Sequence, residues 1–385
     1  MNILCEKSSR KRYVVILSIL SLFLTLCSEQ EQSGLRKKVL DNYFTSFNPE
    51  YNYADKETDL LAHAALVHTT GSKTWQAYSG ITDSLGSAEI NENSVFRIAS
   101  ATKMFTSVLI LQLWEEGMID LDAPFNQYLG LDTVNFSSVR LFDEVTIRHL
   151  LSHRSGIPRI SSTTFFDHFF YTDSITQMAR MTYLFNDSYP EFDPGSQYAY
   201  RNSNFNILGL VIERVSGDQY HEVLREKITI PLGLTNTHVL DYDIRNDDVR
   251  MAHGYTQTFD GIHYHGSQAW AAGGLVSTVK DLAAFMQSLT SGEIFENQTT
   301  FDLMVTPVAG GHYGLGIFIR LTDEGLTYGH SGAIFGYNTR FEFFPELDAT
   351  IISTMSFNGY DFMVVNWYDD FCFPVVEEIR HVLFP

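Results

Sequence analysis

The stretch FRIASATKMFTS, residues 96–107, places Ser100 and Lys103 three positions apart inside an apolar segment. Residues three apart on a helix share one face, so a helix here would bring the lysine amine beside the serine hydroxyl, where it could take the proton of a nucleophile. The same S-x-x-K pattern recurs at Ser8 with Lys11 and at Ser277 with Lys280. The spacing alone therefore identifies no catalytic pair, and the surroundings of each match must decide.

The composition is that of a globular protein with an acidic surface. Of the 385 residues, 44% are hydrophobic and 14% aromatic, which supplies a large core and excludes disorder for the chain as a whole. The length fits one large α/β domain that carries an insertion. The net charge of −20 argues against a nucleic-acid partner, because binding phosphates needs clustered Lys and Arg, and these cluster only at the N-terminus.

The N-terminus has the pattern of an export signal. Basic residues at positions 7–12 precede the apolar run YVVILSILSLFLTL, residues 13–26, and polar residues follow directly. A run of 14 residues is short for a membrane-spanning helix, which takes about 20, so residues 1–26 are predicted to be a signal peptide. We therefore expect an exported protein of the periplasm or cell envelope. This assignment removes Ser8 and Lys11 from the candidates.

Cys27 follows the apolar run directly, and LTLC resembles the lipobox of bacterial lipoproteins, although Leu26 stands where Gly, Ala or Ser is usual. Three alternatives stay open: a lipid anchor at Cys27, simple cleavage, and an uncleaved membrane anchor. Only Cys5, Cys27 and Cys372 are present, which is too few for a disulfide framework. Residues 27–34 read as a linker before a folded domain over residues 35–385.

The first part of that domain is predicted to contain a helix, a hairpin and a buried helix. LRKKVLDNYFTSF, from Leu35, has helical spacing, and AALVHTT and TWQAYSG form a hairpin around Gly-Ser-Lys. A further helix begins at Ser100 and ends at Gly117. Its segment SATKMFTSVLILQLWEEG is apolar on nearly every side through Leu113, which is typical of a helix inside a large protein.

Helices predominate between about residues 120 and 290, and strands follow. TIRHLLSHRSG, SNFNILGLVIERVSG and STVKDLAAFMQSLTSG each run from a capping residue to a glycine, and the third places Ser277 and Lys280 in its first turn. YGLGIFIRL, TRFEFFPE and ATIISTMSF read as strands, and VVEEIRHVLF as a final helix. We predict one α/β domain of the α+β type, with an inserted helical lobe over about residues 120–290.

Two further motifs supply the other groups that a serine nucleophile needs, a proton shuttle and oxyanion donors. PGSQYAYRNSNFNILG contains Tyr200 and Asn202, a Y-x-N that occurs once in the chain. TYGHSGAIFGY contains His330, Ser331 and Gly332 in the strand region. Together with Ser100 and Lys103, the three motifs stand on a predicted helix, a loop and a strand.

In this order, the motifs resemble the active-site elements of the serine β-lactamase and penicillin-binding protein superfamily, and within it the class C β-lactamase, D-alanyl-D-alanine carboxypeptidase and family VIII esterase group. The phrases VFRIASATKMFTS, LLSHRSGIP, WAAGGLVSTVKDLAAF and GHSGAIFGY are similar to that group as well. The resemblance covers about residues 35–385. It implies a β-lactamase/transpeptidase-like fold: an antiparallel sheet flanked by N- and C-terminal helices, with an inserted, mostly helical lobe.

The resemblance implies a role for each matching residue. Ser100 would be the nucleophile, Lys103 its partner on the next turn, and Tyr200 a proton acceptor and relay. Burial in an apolar helix lowers a lysine pKa, and a helix N-terminus favours negative charge near Ser100; which of Lys103 and Tyr200 is the base stays open. The remaining groups would bind substrate or the oxyanion: Asn202, His330, Ser331 and Gly332 for substrate, and the backbone N–H groups of Ser100 and Ala333 for the oxyanion.

The third motif departs from the class C pattern, which has Lys-Thr-Gly where this chain has His330-Ser331-Gly332. A lysine there holds the carboxylate of a penicillin, whereas a histidine with an ordinary pKa near about 6.5 is mostly neutral at pH 7. Efficient β-lactamase action is therefore disfavoured, while carboxypeptidases and esterases of the group both tolerate histidine. Arg201, where a small residue is usual, either meets a substrate carboxylate or points into solvent, and we favour solvent.

Other histidines have simpler interpretations. His153, in LLSHRSG, is predicted to be structural and not part of a Ser-His-Asp triad. His253, His263 and His265 have no carboxylate or cysteine at a convincing ligand spacing, so a polar loop is favoured and neither a metal nor another cofactor is expected.

The function expected from the sequence is an exported serine hydrolase that forms an acyl-enzyme on Ser100. Its partner would be a small-molecule or peptide substrate, either an ester or a D-amino-acid peptide, with cell-wall peptide as one candidate. Two alternatives stay open: a true β-lactamase, and a non-catalytic penicillin-binding or sensor protein. The four intact residues Ser100, Lys103, Tyr200 and Asn202 count against the second alternative, because a binding module does not need all of them.

Overall fold

The structure is a computed structural model, and it describes residues 59–69, 73–159, 176–186, 188–245, 248–256, 260–308, 311–322 and 325–358. The signal peptide, Cys27 and the helices predicted from Leu35 and over residues 375–384 lie outside the described residues. Within the described ranges, no helix combines the length and the apolar character that crossing a bilayer would need.

The described strands form a large and a small antiparallel sheet. They are β1 (Asp59–Thr69), β2 (Lys73–Gly80), β3 (Phe96–Arg97), β4 (His238–Val239), β5 (Leu275–Ser277), β6 (Phe318–Thr322), β7 (Gly325–Ile334), β8 (Tyr337–Phe344) and β9 (Ala349–Asn358). The large sheet has the order β2-β1-β9-β8-β7-β6 and the small one β3-β5-β4. The predicted antiparallel sheet and the β1–β2 hairpin are confirmed. The small sheet was not predicted.

Along the chain, the described helices lie between strands β1 and β9. They are α1 (Thr102–Glu115), α2 (Asn126–Leu129), α3 (Ile147–Leu151), α4 (Gln177–Phe185), α5 (Asn202–Ser216), α6 (Tyr220–Leu224), α7 (Gly266–Ala269), α8 (Val279–Ser291) and α9 (Gln298–Met304). This mixture of an antiparallel sheet with helices is the predicted α+β architecture.

Helix α1 is the centre of the core. Every residue from Thr102 to Leu111 is buried, as is Leu113, so the helix has no solvent face over its first ten residues. It packs against α5, and the ring of Phe105 stacks on that of Phe285 in α8 with the centroids 3.8 Å apart. Helix α8 in turn packs on β1 and β9. The buried helix predicted from the apolar run is confirmed, and it fixes Lys103 between the sheet and the other helices.

Two predicted helices differ from the structure at their ends. The segment TIRHLLSHRSG is helical only over α3, because His153 adopts a left-handed backbone with φ 56° that ends the helix early. The helix predicted from Ser277 begins at Val279, and Thr278 is its cap, with the Thr278 side chain accepting the Asp281 N–H at 3.1 Å. Ser277 is instead the last residue of β5, so its predicted place in the first helical turn is wrong.

Strand β6 is shorter than the predicted strand YGLGIFIRL. The segment before it turns at Gly316, which has φ 79° and lies against α1, so that an added Cβ would meet Ser107 Oγ at 1.7 Å. Only Phe318–Thr322 remain extended. The turn packs residues 313–316 against the core beside the strand that carries His330.

Candidate active site

Ser100 lies in a strained turn between β3 and α1. A 3-10 turn, Ala99–Ala101, leads into α1, and Ala99 has φ 47°, a left-handed conformation that costs a residue with a Cβ about 1–3 kcal/mol. Strand β7 passes so close that a Cβ on Gly332 would lie 2.0 Å from Ile98 O and 3.0 Å from Ser100 N. Only glycine allows this approach, which brings the third motif beside the serine.

Lys103 contacts Ser100 as the spacing predicts. Its side chain has no exposed surface, and Nζ lies 3.2 Å from Ser100 Oγ, 2.8 Å from Asn202 Oδ1 and 2.6 Å from Ala272 O. Nζ also lies 4.9 Å from the centroid of the Tyr200 ring. Burial lowers the pKa of the Lys103 amine well below 10.5, because a low-dielectric interior disfavours the ammonium form.

The hydrogen-bond partners of Lys103 suit a neutral amine. Such an amine has two hydrogens and one lone pair. The oxygens of Asn202 and Ala272 are carbonyl oxygens that can only accept, so they take the two hydrogens. In the neutral amine the lone pair is left for the Ser100 hydroxyl, whereas the ammonium would donate its third hydrogen to Ser100 Oγ. In its neutral form Lys103 is therefore placed to take the Ser100 proton.

Tyr200 is half-buried, its hydroxyl is enclosed, and it lies beside the same pair. Burial raises the pKa of its phenol, an effect that the hydrogen bond with Ser100 opposes and does not cancel. The phenol therefore keeps its proton at neutral pH. Burial thus favours the neutral, proton-accepting form of Lys103 and the neutral, proton-bearing form of Tyr200.

Asn202 and Arg201 stand at the start of α5 and have different surroundings. Asn202 is exposed, yet its Oδ1 binds Lys103, so its amide lies between the base and the open side of the site. Arg201 forms an ion pair with Glu191 and donates to Tyr200 O at 2.9 Å, and its side chain is only 15% exposed. The expectation that Arg201 points into solvent is wrong, because the guanidinium is held by a carboxylate from the preceding loop.

The third motif occupies an edge of the large sheet. Strand β6 pairs with β7 only up to Gly329, so among the described strands residues 330–334 pair with β8 alone. Ser331, Gly332 and Ala333 follow His330 on this segment, and the contact of Gly332 with the Ser100 turn brings the segment to the nucleophile. The predicted site residues of the helix, the loop and the strand thus converge.

His330 is buried, and both of its ring nitrogens have protein partners. Its Nε2 lies 3.1 Å from Tyr313 Oη, and its Nδ1 lies 2.5 Å from Ser331 O. Burial lowers the pKa of the imidazole well below 6.5. The histidine of the third motif is therefore neutral at physiological pH for a stronger reason than its ordinary pKa.

His153 supports Tyr200 from the side. Its buried ring lies 4.2 Å from the Tyr200 ring, centroid to centroid, and its Nδ1 accepts the backbone N–H of Arg201 at 3.2 Å. Burial lowers its pKa well below 6.5. This is the structural placement that the sequence predicts. Elsewhere in the described residues, no three His, Cys, Asp or Glu side chains are grouped so that they could hold a metal ion.

Sequence reasoning missed three groups of this site. Ala272 contributes only a backbone carbonyl, which a pattern of side chains cannot predict. Tyr313 was taken as the start of a strand, and Glu191 was not singled out. The one available signal was the pair of glycines that follow Tyr313, since closely spaced glycines often mark a tight turn.

The fold and the site define a protein of the penicillin-binding and β-lactamase type, with a serine and a buried lysine beside an edge strand. Residues 53–370 match the protein-family model described as Beta-lactamase. The chain belongs to this family, the superfamily of serine hydrolases that the three motifs resemble.

Individual relatives are distant. The chain is 26% identical over 307 residues to the unguisins hydrolase ungD' of Aspergillus campestris, and 26% identical over 285 residues to a penicillin-binding protein of Bacillus subtilis. These matches cover 74% and 66% of this chain but only 56% and 60% of the relatives. It is 24% identical over 313 residues to the teichoic acid D-alanine hydrolase of Staphylococcus aureus, covering 78% of this chain and 74% of that protein.

The solved structures show the same fold. The D-amino acid amidase of Ochrobactrum anthropi SV3 superposes with a TM-score of 0.71 at 23% identity, covering 92% of this chain and 97% of the amidase. A penicillin-binding protein of Bacillus halodurans gives a TM-score of 0.67 at 24% identity, covering 77% and 91%.

Proposed function

We propose that the protein is an exported serine hydrolase that transfers an acyl group from an ester or amide to Ser100 and then to water. One observation carries the proposal. Lys103 Nζ lies within hydrogen-bond distance of Ser100 Oγ, and its other two contacts are the carbonyl oxygens of Asn202 and Ala272. A buried lysine with no base function would be an expensive feature of a core helix.

The proposed acylation divides the proton transfers between Lys103 and Tyr200. Ser100 Oγ attacks the substrate carbonyl carbon while its proton passes to Lys103 Nζ. The negative charge that develops on the carbonyl oxygen is held by the backbone N–H groups of Ser100 and Ala333. Tyr200 gives its phenolic proton to the leaving oxygen or nitrogen and recovers one from Lys103, and the bond to the leaving group breaks.

Deacylation reverses the proton path. Water loses a proton to the Lys103 and Tyr200 pair and attacks the acyl carbon, and the proton returns to Ser100 Oγ as the carboxylic acid leaves. Asn202, exposed beside the base, would hold the acyl part of the substrate, and the 330–334 edge would hold its backbone.

The proposed substrate is a D-aminoacyl ester or amide. The names of two relatives support this choice, since one acts on teichoic acid D-alanine and the other on D-amino acid amides. The neutral form of His330 also favours a group without a carboxylate at the third motif, as in an aminoacyl ester. A penicillin carboxylate would meet a neutral imidazole in place of the lysine of class C enzymes, which argues against the β-lactamase alternative.

Covalent labelling tests the proposal. The mature protein is incubated with a fluorescent fluorophosphonate and with a fluorescent penicillin, alongside Ser100→Ala. We expect the wild type to be labelled by the fluorophosphonate and the variant to be unlabelled. A wild type that neither reagent labels would refute the acyl-enzyme and leave the non-catalytic alternative.

The substrate class needs a second panel. Hydrolysis of p-nitrophenyl D-alaninate is compared with that of its L-enantiomer, of a short-chain ester, of D-alanyl-D-alanine and of nitrocefin. A preference for the D-alanyl ester supports the proposed class. Faster turnover of nitrocefin or of the L-ester would contradict it.

The proposal of export rests on the signal-like sequence of residues 1–26. Such a protein could be attached to lipid at Cys27 or simply cleaved. Mass spectrometry of the mature N-terminus after expression in a bacterium distinguishes them. A diacylglyceryl group on Cys27 that is lost in Cys27→Ser supports a lipoprotein, and an unmodified N-terminus near residue 27 supports simple cleavage. An intact N-terminus would contradict both.

A further inference from the structure

Tyr313 and His330 form a buried polar pair behind the third motif. The two side chains are fully enclosed, at 2% and 1% exposure, and Tyr313 Oη lies 3.1 Å from His330 Nε2. The other ring nitrogen, Nδ1, lies 2.5 Å from Ser331 O. A buried polar pair of this kind is costly unless every partner is satisfied, and here each ring nitrogen has one.

The chemistry of the partners fixes the direction of each hydrogen bond. Ser331 O is a carbonyl oxygen and can only accept, so His330 Nδ1 carries a hydrogen and donates it. A neutral imidazole has a single N–H, which leaves Nε2 as an acceptor. The Tyr313 hydroxyl must therefore donate to Nε2. The two hydrogen bonds thus connect Tyr313 through His330 to Ser331, the first edge residue after the histidine.

The backbone around Tyr313 is held from three sides. Leu315 N–H donates to Met304 O at 2.9 Å and Gly316 N–H to Leu151 O at 3.0 Å. Gly314 lies so close to α9 that a Cβ would meet Met304 O at 2.1 Å. These contacts tie the turn to α9, to the end of α3 and to α1, so the Tyr313 hydroxyl is presented to His330 by rigid elements.

The charged groups that face His330 are Lys103 on α1, Arg320 on β6 and Arg340 on β8. Burial has the largest effect on the pKa of His330, and the positive charges of the two arginines, and of Lys103 when it is protonated, disfavour the imidazolium further. Tyr313, in the turn, and the nearby Tyr200 and His153 add no negative charge, since burial holds the pKa of both phenols above 10 and that of His153 below 6.5. Glu342, near the two arginines, is paired with them.

We propose that Tyr313 is a positioning residue that fixes His330 as the neutral Nδ1–H tautomer and, through it, orients the Ser331 carbonyl at the edge that receives substrate. This inference rests on the proposed function and adds to it. With His330 neutral, the third motif would bind the substrate through hydrogen bonds. It selects substrates without a carboxylate at that position, as a D-aminoacyl ester has.

Imidazole ¹⁵N NMR and steady-state kinetics on the mature chain test the proposal together. His330 is assigned by comparison with His330→Gln. The tested variant is Tyr313→Phe, and the matched control is Tyr328→Phe, which removes a hydroxyl from the same strand two residues before His330. Kinetics use p-nitrophenyl D-alaninate and an ester of the same acyl group whose leaving group carries a carboxylate.

In the wild type we expect the Nδ1–H tautomer across about pH 5.5 to 8.5. Tyr313→Phe should add a protonation step or a second tautomer in that window and lower kcat/KM for the neutral ester about tenfold, because a buried acceptor loses its donor. The preference for the neutral ester over the carboxylated one should also fall. Tyr328→Phe should match the wild type in both measurements.

A wild-type spectrum with the hydrogen on Nε2, or a charged His330 at neutral pH, would overturn the proposal without any variant. The proposal would also be overturned if Tyr313→Phe gave the same spectrum or the same kinetics as Tyr328→Phe. These outcomes are distinct from failure of the proposed function, in which the wild type forms no acyl-enzyme on Ser100 whatever the tautomer of His330.

Discussion

The chain contains two S-x-x-K segments in its folded part, and the structure gives them opposite surroundings. Lys103 has no exposed surface and contacts Ser100, whereas Lys280 is exposed on α8. Ser277 is in a strand, and its hydroxyl is paired with Thr237 Oγ1 at 2.8 Å. The same spacing thus produces a reactive geometry in one place and a strand-to-helix junction in the other. Burial and carbonyl partners make the difference.

The largest difference between the two segments should appear in covalent labelling. Ser100→Ala is expected to abolish labelling by fluorophosphonate, because the nucleophile is lost. Ser277→Ala should be labelled like the wild type, with at most a cost of about 1 kcal/mol in unfolding free energy for the lost buried hydrogen bond. Gel fluorescence and urea unfolding measure the two effects. Equal labelling of Ser100→Ala and the wild type would contradict the proposed difference between the two segments.

Replacing the lysine of each segment should give the second largest difference between the two segments. Lys103→Ala should lower kcat/KM for p-nitrophenyl esters by about 10²- to 10⁴-fold, the contribution of a positioned general base. Lys280→Ala should stay within about twofold, since changes at exposed positions are usually small. Circular dichroism confirms that both variants are folded. Retained turnover in Lys103→Ala would remove the lysine from its proposed role.

The close approach of β7 to the nucleophile predicts a strong effect from a single methyl group. Gly332→Ala places a Cβ 2.0 Å from Ile98 O, which must push the edge strand away from Ser100. We expect a loss of about 10²-fold in kcat, as when an oxyanion donor is displaced. Gly311→Ala, where the nearest atom would be 3.3 Å away, is the control. If the two variants turn over alike, the edge strand does not shape the site.

The pH dependence of acylation should reveal the base. Lys103 accepts a proton only when neutral, and burial lowers its pKa well below 10.5. The acylation rate should therefore fall about tenfold per pH unit below that lowered pKa and level off above it. Stopped-flow rates of fluorophosphonate inactivation measure the profile. A rate that keeps rising to pH 10.5 would indicate an ordinary lysine.

Much of the fold was readable from the sequence because its signals are local. The apolar run of α1 and the alternation in β8 and β9 identify their elements directly, and the three motifs predict which residues of the helix, the loop and the edge strand lie close together. The small sheet was not predictable in this way. Strands β3, β4 and β5 have two or three residues each, and their pairing joins segments that are far apart in the chain.

The groups that were missed act through distant contacts. Ala272 O reaches Lys103 from 169 positions away, and it acts through the backbone, so its side chain carries no signal. Arg201 was expected in solvent because the Glu191 carboxylate that holds it lies in a loop of no regular pattern. His153 ends α3 through its backbone conformation, which a helical pattern does not reveal. Such features follow from the packing of the whole molecule.

The central claim is that burial lowers the pKa of Lys103 and so favours the neutral form that can act as a base. A ¹⁵N NMR titration of the lysine side chains of the protein tests this directly, with Lys103→Met identifying the Lys103 Nζ signal. The account predicts that this signal titrates well below 10.5. A Lys103 amine that is charged at pH 7.5 and titrates near 10.5 would contradict it.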